Sequence, residues 1–320
     1  MRALENILAP VIGLLGVALL FALLTGSPER YLSAANVRVV LAQTVIVAIG
    51  ALGMTLIIIS GGIDLSVGSV IALTSVITAL ALRDGLAPIA AIAAGVAVGG
   101  IVGCINGLAI TRLRVVPFIA TLGMLGIARG FAKYFANQQT VNAPPTWINE
   151  LAVTFPSRPW MLFAPGVWLA IALAALMTLV LRNSVFGRRV FAIGSNELAA
   201  RACGINTDRL KIRIYSIAGL FFGLAGVTQM SRLRQGDPTV AVGVELDVIA
   251  AVVIGGGSLS GGEGSIPGAM IGALVMSLLR NGCQQMGWAN YVQEIIIGVI
   301  IVIAVAADRY RASRAEERTA

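Results

Sequence analysis

Apolar runs long enough to cross a bilayer recur along this chain, and they limit its fold more than any motif does. They lie near residues 7–25, 39–60, 65–82, 86–110, 117–136, 163–181, 214–231, 245–257, 266–281 and 291–307. A membrane-spanning helix needs about 17 to 25 mostly apolar residues. The expectation is therefore an all-α polytopic membrane protein with about ten transmembrane helices. The eighth run is short, and the fifth carries Arg129 and Lys133. With 58% hydrophobic and 12% charged residues, no soluble core would hide this much apolar surface. The first run leads into TGSPER, which lacks a small-residue cleavage site, so it reads as a retained span.

Ten spans would place both termini on one side, which the basic residues then identify. The terminal side holds Arg2, Arg112, Arg114, seven residues of the loop 182–213, Arg309, Arg311, Arg314 and Arg318. The other holds Arg30, Arg38, Arg83, Arg158, Arg232, Arg234 and Arg280, joined by Arg129 and Lys133 if these reach back to that interface. Excess Lys and Arg mark cytoplasmic loops. Both termini and the loop 182–213 are thus expected in the cytoplasm, with the loop 137–162 external. The net charge of +8 then has a topological cause: nucleic acid is not an expected partner, and membrane lipid is. No soluble domain or Ser/Gly linker interrupts the pattern, so residues 1–320 read as one transmembrane domain.

Two glycine-marked breaks echo each other, GGIDLS at 61–66 and GGGSLS at 255–260, each after an apolar run. They admit two readings, a related pair of helix hairpins or chance likeness in glycine-rich sequence. At the first, Gly61 and Gly62 break the backbone, and Asp64 or Ser66 is placed to cap the next helix; a hinge is the functional alternative. At the second, Glu245 and Asp247 open a helix that ends in Gly255, Gly256 and Gly257. Acids there complement the positive helix end, or they line a polar path, since ionisable groups at membrane depth are costly and often functional. Gln43, Asn106 and Gln229 are further candidates for that path. Helix-to-helix hydrogen bonds are their structural alternative.

Several chemistries are excluded outright. The chain has no histidine, which removes H-E-x-x-H zinc sites and Ser/His/Asp catalysis. Its two lysines, Lys133 and Lys211, follow no G-x-x-x-x-G-K-[ST] loop, so it holds no nucleotide site of that type. Cys104, Cys203 and Cys283 are too widely spaced for a C-x-x-C metal site. Inside the basic loop, GSNELAARACGIN predicts a short bounded helix. Ser195 or Asn196 starts it, Glu197 sits at the favourable end, and Gly204 supplies a left-handed stop. About eight residues cannot hold a helix alone, so this one must dock, against its own membrane ends or against a partner.

Four blocks together carry a resemblance: GMTLIIISGGIDLSVGS (53–69), FIATLGMLGIARG (118–130), GSNELAARACGIN (194–206) and ELDVIAAVVIGGGSLSGGEGS (245–265). In this order, between about residues 36 and 308, the chain resembles the permease subunits of ribose-type ABC sugar importers. The resemblance implies a bacterial inner-membrane location and two permease copies, or a pair of similar permeases. It also implies ABC ATP-binding subunits that hold ATP and Mg, a periplasmic or lipid-anchored sugar-binding protein, and no cofactor in this chain. It further implies that Asn196, Glu197, Ala200, Gly204 and Ile205 lie in a coupling helix pushed by the ATPase. QQTVN at 138–142 follows the family pattern only loosely, so no receptor contact is carried over. The competing expectation is a self-sufficient secondary transporter or channel for a small polar solute; an intramembrane enzyme would rest only on isolated acids such as Asp64 and Glu294.

Overall fold

The computed structural model describes residues 2–155 and 161–317, so Arg158 and Arg318 of the charge count lie outside the described residues. The described chain is helical nearly throughout: α1 (Arg2–Leu24), α2 (Pro28–Tyr31), α3 (Ala34–Ile59), α4 (Val67–Arg83), α5 (Pro88–Arg112), α6 (Pro117–Phe135), α7 (Pro165–Asn183), α8 (Val185–Ser195), α9 (Glu197–Ala202), α10 (Thr207–Leu233), α11 (Val244–Ile254), α12 (Ile266–Gln285) and α13 (Asn290–Glu317). Val141–Asn142 pairs antiparallel with Gln235–Gly236, and a 3-10 turn covers Trp147–Glu150.

Each apolar run has its helix, but the helices differ in reach. Among the described residues five are long and apolar enough to cross a membrane: α3, α5, α7, α10 and α12. Leu8–Leu24, Val67–Arg83 and Asn290–Ile303 are shorter apolar stretches. The two runs outside both groups are α6, which carries Arg129 and Lys133, and α11. The 11 residues of α11 rise only about 16 Å, roughly half a hydrocarbon core. The protein is an all-α membrane protein on these lengths.

A helix that is apolar all round becomes buried, and α3 is the case here. Every residue from 44 to 59 is buried, with α10, α11, α12 and α7 packed around it. Its two buried hydroxyls bond within the helix, Thr44 to the Val40 carbonyl at 2.8 Å and Thr55 to the Ala51 carbonyl at 2.6 Å. Neither then needs a partner across the bundle.

Helices α5 and α10 meet backbone to backbone. Gly95, Gly99, Gly103 and Gly107 recur every fourth residue along α5, which puts them on one face. A Cβ on Gly99 would meet the Gly219 carbonyl oxygen and the Gly223 backbone, and one on Gly103 would meet the Tyr215 carbonyl. Small residues let membrane helices touch backbone to backbone, so this seam fixes where α10 stands. Overpacking a core costs about 1 to 3 kcal/mol when side chains can yield, and backbone cannot. Gly99→Leu is therefore expected to cost at least about 3 kcal/mol and to lower the thermal midpoint in detergent by several degrees. Gly126→Leu on α6, where nothing lies within 4 Å, should leave the midpoint almost unchanged. Equal midpoints for the two variants would refute the seam.

Candidate functional site: a polar cavity and a glycine junction

Two features lie at opposite ends of α3. The first is where α3 and α11 stop. Gly61 sits at φ +79 and the Gly62 amide donates to the Ile57 carbonyl at 3.0 Å; Gly256 sits at φ +88 and the Gly257 amide donates to the Val252 carbonyl at 2.9 Å. Both ends are therefore the same left-handed glycine stop, closed by an amide reaching back five residues. The structural match pairs Gly61 with Gly256, one position off the match of GGIDLS with GGGSLS. Beyond the stops the segments diverge: α4 restarts at Val67, whereas α12 restarts only at Ile266, with the Ser265 hydroxyl accepting from the Gly268 amide at 3.1 Å. The likeness is one of helix termination rather than of a whole hairpin.

At the first stop Asp64 is buried, and its Oδ1 accepts from the Ser66 amide at 2.7 Å and the Ser66 hydroxyl at 2.6 Å. It closes the turn before α4, while Ser66 takes the cap position without a side-chain capping bond. Asn106 of α5 reaches in, donating to Asp64 Oδ2 at 3.2 Å and Ser66 Oγ at 3.1 Å. Of the residues considered for a polar path, Asn106 thus bonds from α5 to the turn that precedes α4. Glu245 also stands apart, accepting from the Gly243 amide at 3.3 Å and facing Gly68 of α4.

The two stops touch each other and the basic loop. The Gly262 amide donates to the Ile59 carbonyl at 2.8 Å, which joins the segment after α11 to the end of α3. Gly194, in the last turn of α8, packs on both: a Cβ there would meet the Ile59 oxygen and the Gly262 nitrogen. A Cβ on Gly261 would in turn lie 2.8 Å from the Gly194 oxygen and 2.9 Å from the Gly61 Cα. Residues 59–62, 194–195 and 261–262 are one backbone junction.

The short helix forms as its sequence suggests. Asn196 Oδ1 accepts from the Ala199 amide at 2.9 Å, Ala200 is buried, and Gly204 takes φ +81. Glu197 pairs with Lys211 of α10 at 2.7 Å, and half-buried Ile205 packs on the main apolar cluster. Leu198 points outward at 81% exposure. Contact with α3, however, comes through α8. Sequence reasoning passed over α8, although VFGRRVFAIGS sets Gly187, Val190 and Ile193 at helical spacing with Arg188 and Arg189 between them. Those three are buried and both arginines exposed.

The second feature is a cavity of about 430 Å³ at the other end. Between Gln43 and Ile59, α3 rises about 24 Å. Gln43 of α3, Gln229 and Arg232 of α10, Asp247 of α11, and Arg280 and Gln284 of α12 line the cavity. Asp247 Oδ2 lies 2.6 Å from Arg280 Nη2, with the carboxylate side chain 2% exposed and the arginine 34%. Three residues considered for a path, Gln43, Gln229 and Asp247, are therefore brought together, and Asn106 and Glu245 are not. Arg280 was counted among loop charges. Its signal was its place as the sole charged residue of α12, because an ionisable group within a span marks function more often than packing.

The family described as branched-chain amino acid transport system / permease component matches residues 36–305. The ribose import permease protein RbsC of Escherichia coli K12 is 38% identical over 296 residues, 92% of each chain. RbsC of Bacillus subtilis 168 is 38% identical over 307 residues, covering 96% of this chain and 94% of the relative. The fructose import permease protein FrcC of Rhizobium meliloti is 35% identical over 306 residues, 94% of this chain and 84% of the relative. No solved structure matches the chain. With a family match that spans the ranges of all four motif blocks and relatives of this identity along nearly the whole chain, the chain belongs to this permease family, in its ribose-type ABC sugar branch.

Proposed function

We propose that the chain is the transmembrane permease subunit of an ATP-driven, binding-protein-dependent importer of a monosaccharide, ribose or a related sugar, working by alternating access. The observation that carries this reading is the relationship to ribose and fructose import permeases along nearly the whole chain. In this reading the chain makes ten crossings of a bacterial inner membrane with both termini in the cytoplasm, and two copies or two similar permeases form one path. ATP and Mg are bound on separate ATP-binding subunits, and a periplasmic or lipid-anchored protein delivers the sugar.

The geometry supports a mechanical route. ATP-driven closure of the partner moves the loop 182–213, and α8 carries that movement to the glycine junction. The stops of α3 and α11 then shift together, and α11 carries Asp247 at the cavity. Discrete packing rearrangements of this kind switch which side of a transporter is open.

Leu198 is the expected foothold for the ATPase, because an apolar side chain at 81% exposure among charged neighbours fits a partner's groove. Such anchors carry more than about 1 kcal/mol of an interface, whereas surface changes move folding stability by only about 0.5 kcal/mol. Leu198→Asp should lower ATP-driven uptake about tenfold with an unchanged thermal midpoint. The whole reading is tested by reconstituting the chain in liposomes with its ATP-binding subunit and sugar-binding protein. Sugar uptake that needs ATP and both partners is expected; gradient-driven flux through this chain alone would replace the reading with a self-sufficient transporter.

A further inference from the structure

We infer that the cavity between α3, α10, α11 and α12 is a sugar-binding subsite belonging to the permease itself, with Arg280 as its central donor and Asp247 as the residue that positions it. The inference rests on the importer reading and deepens it. Gln229 is only 6% exposed, yet neither its amide nor that of Gln43 or Gln284 makes a hydrogen bond among the described residues. The Gln229 amide is not among the sealed, unpartnered atoms either, so it faces the cavity. A carboxamide that bonds nothing within the protein and faces a cavity is left for a polar partner there.

The chemistry of the lining selects the ligand. Carboxamides both donate and accept, as sugar hydroxyls do, and guanidinium donates through a planar fork to adjacent oxygens. The carboxylate of Asp247 is sealed, its Oδ2 spent on Arg280 and its Oδ1 closed off from solvent. The polar lining besides that carboxylate is thus the neutral amides, the hydroxyl residues Thr154 and Ser277, Arg232 at the mouth and the exposed part of Arg280. That set disfavours cations, and a polyhydroxylated solute can meet it through its oxygens. At about 430 Å³ the space lies in the range of small-molecule sites. Asp247 holds Arg280 through Nη2, and although Arg280 Nε is sealed without a partner, the side chain stays 34% exposed where it lines the cavity.

The test uses the full-length chain in lipid nanodiscs without its binding protein, probed by saturation-transfer NMR with D-ribose, D-fructose and L-arabinose. At least one sugar should give signal, falling about fivefold for each hydrogen bond removed in Gln43→Leu, in Gln229→Leu and in Arg232→Met. The last lies at the exposed mouth, so it reports even where a buried change impairs folding. Asp247→Asn should raise the uptake KM of the assembled transporter more than it lowers kcat. A purely structural role would lower the amount of folded protein and leave KM alone. Absence of signal for all three sugars, or wild-type signal in all three variants, would overturn the subsite. ATP-driven uptake by the same purified chain, reconstituted in liposomes with its ATP-binding subunit and sugar-binding protein, separates the two claims: uptake with no cavity-dependent binding removes only the subsite, and failure to take up any sugar removes the importer reading.

Discussion

Gly194→Ala is expected to uncouple the transporter: ATP hydrolysis by the assembled complex persists while sugar uptake falls about 100-fold, equivalent to ~2.7 kcal/mol. The sign of this result is informative because helix propensity predicts the reverse. Gly194 lies inside α8, where alanine is favoured over glycine by about 1 kcal/mol. An ordinary surface glycine there would therefore be improved by the change. At this position the new Cβ would meet the Ile59 oxygen and the Gly262 nitrogen, the two atoms that hydrogen-bond each other at 2.8 Å. Backbone cannot rotate away as a side chain can, so α8 must lift off the stops of α3 and α11. The loop then moves without moving the junction. Gly204→Ala is the comparison: Gly204 also has a special conformation, φ +81, but open space around it. Its cost is left-handed strain of about 1 kcal/mol, and its effect on uptake should be several times smaller. Normal uptake in Gly194→Ala, or a larger loss in Gly204→Ala, would move the lever from α8 back to α9.

The helices were legible because lipid makes hydrophobic length a direct signal: each of the ten runs found its helix, and the two marked by charge or shortness are the two outside both apolar groups. The capped turn of α9 was legible for a similar reason, since Asn196 and Gly204 act on their own neighbours. Local chemistry of that kind needs no knowledge of the fold. Gln43, Gln229 and Asn106 were different. Each is a single amide in an apolar run, and whether it bonds a neighbouring helix or faces a cavity depends on which helices surround it. That is a tertiary fact, and it separated Asn106 from the two glutamines. The glycine junction was half legible. Both stops are marked by paired glycines, but nothing in 61–62, 194 and 261–262 states that three segments so far apart in sequence meet. The seam on α5 was legible and overlooked, because its four glycines recur at a helical period in plain sequence.

The pair of Asp247 and Arg280 yields the second large effect, and an ordering with it. Removing one partner of a buried ion pair costs about 3 to 5 kcal/mol, because the other charge is left without compensation. Here the partners are unequal. Arg280→Met strands a carboxylate that is 2% exposed and whose Oδ1 already lacks a partner, so the full cost of about 3 kcal/mol or more is expected. Asp247→Leu strands a guanidinium that is 34% exposed and can turn to the cavity; it should cost less, about 1 to 2 kcal/mol. Thermal midpoints should therefore rank wild type above Asp247→Leu, and Asp247→Leu above Arg280→Met. In the double variant Asp247→Leu with Arg280→Met no charge is stranded, and replacing a buried pair by apolar residues of similar volume is often neutral or stabilising. Its midpoint should return to that of wild type. Uptake should not return, because the cavity has lost the exposed part of the Arg280 guanidinium and the sugar hydroxyls meet a methyl group there. Stability and transport are thereby pulled apart at one site. If the double variant regained both, the pair would be holding α11 to α12 and doing nothing for the sugar.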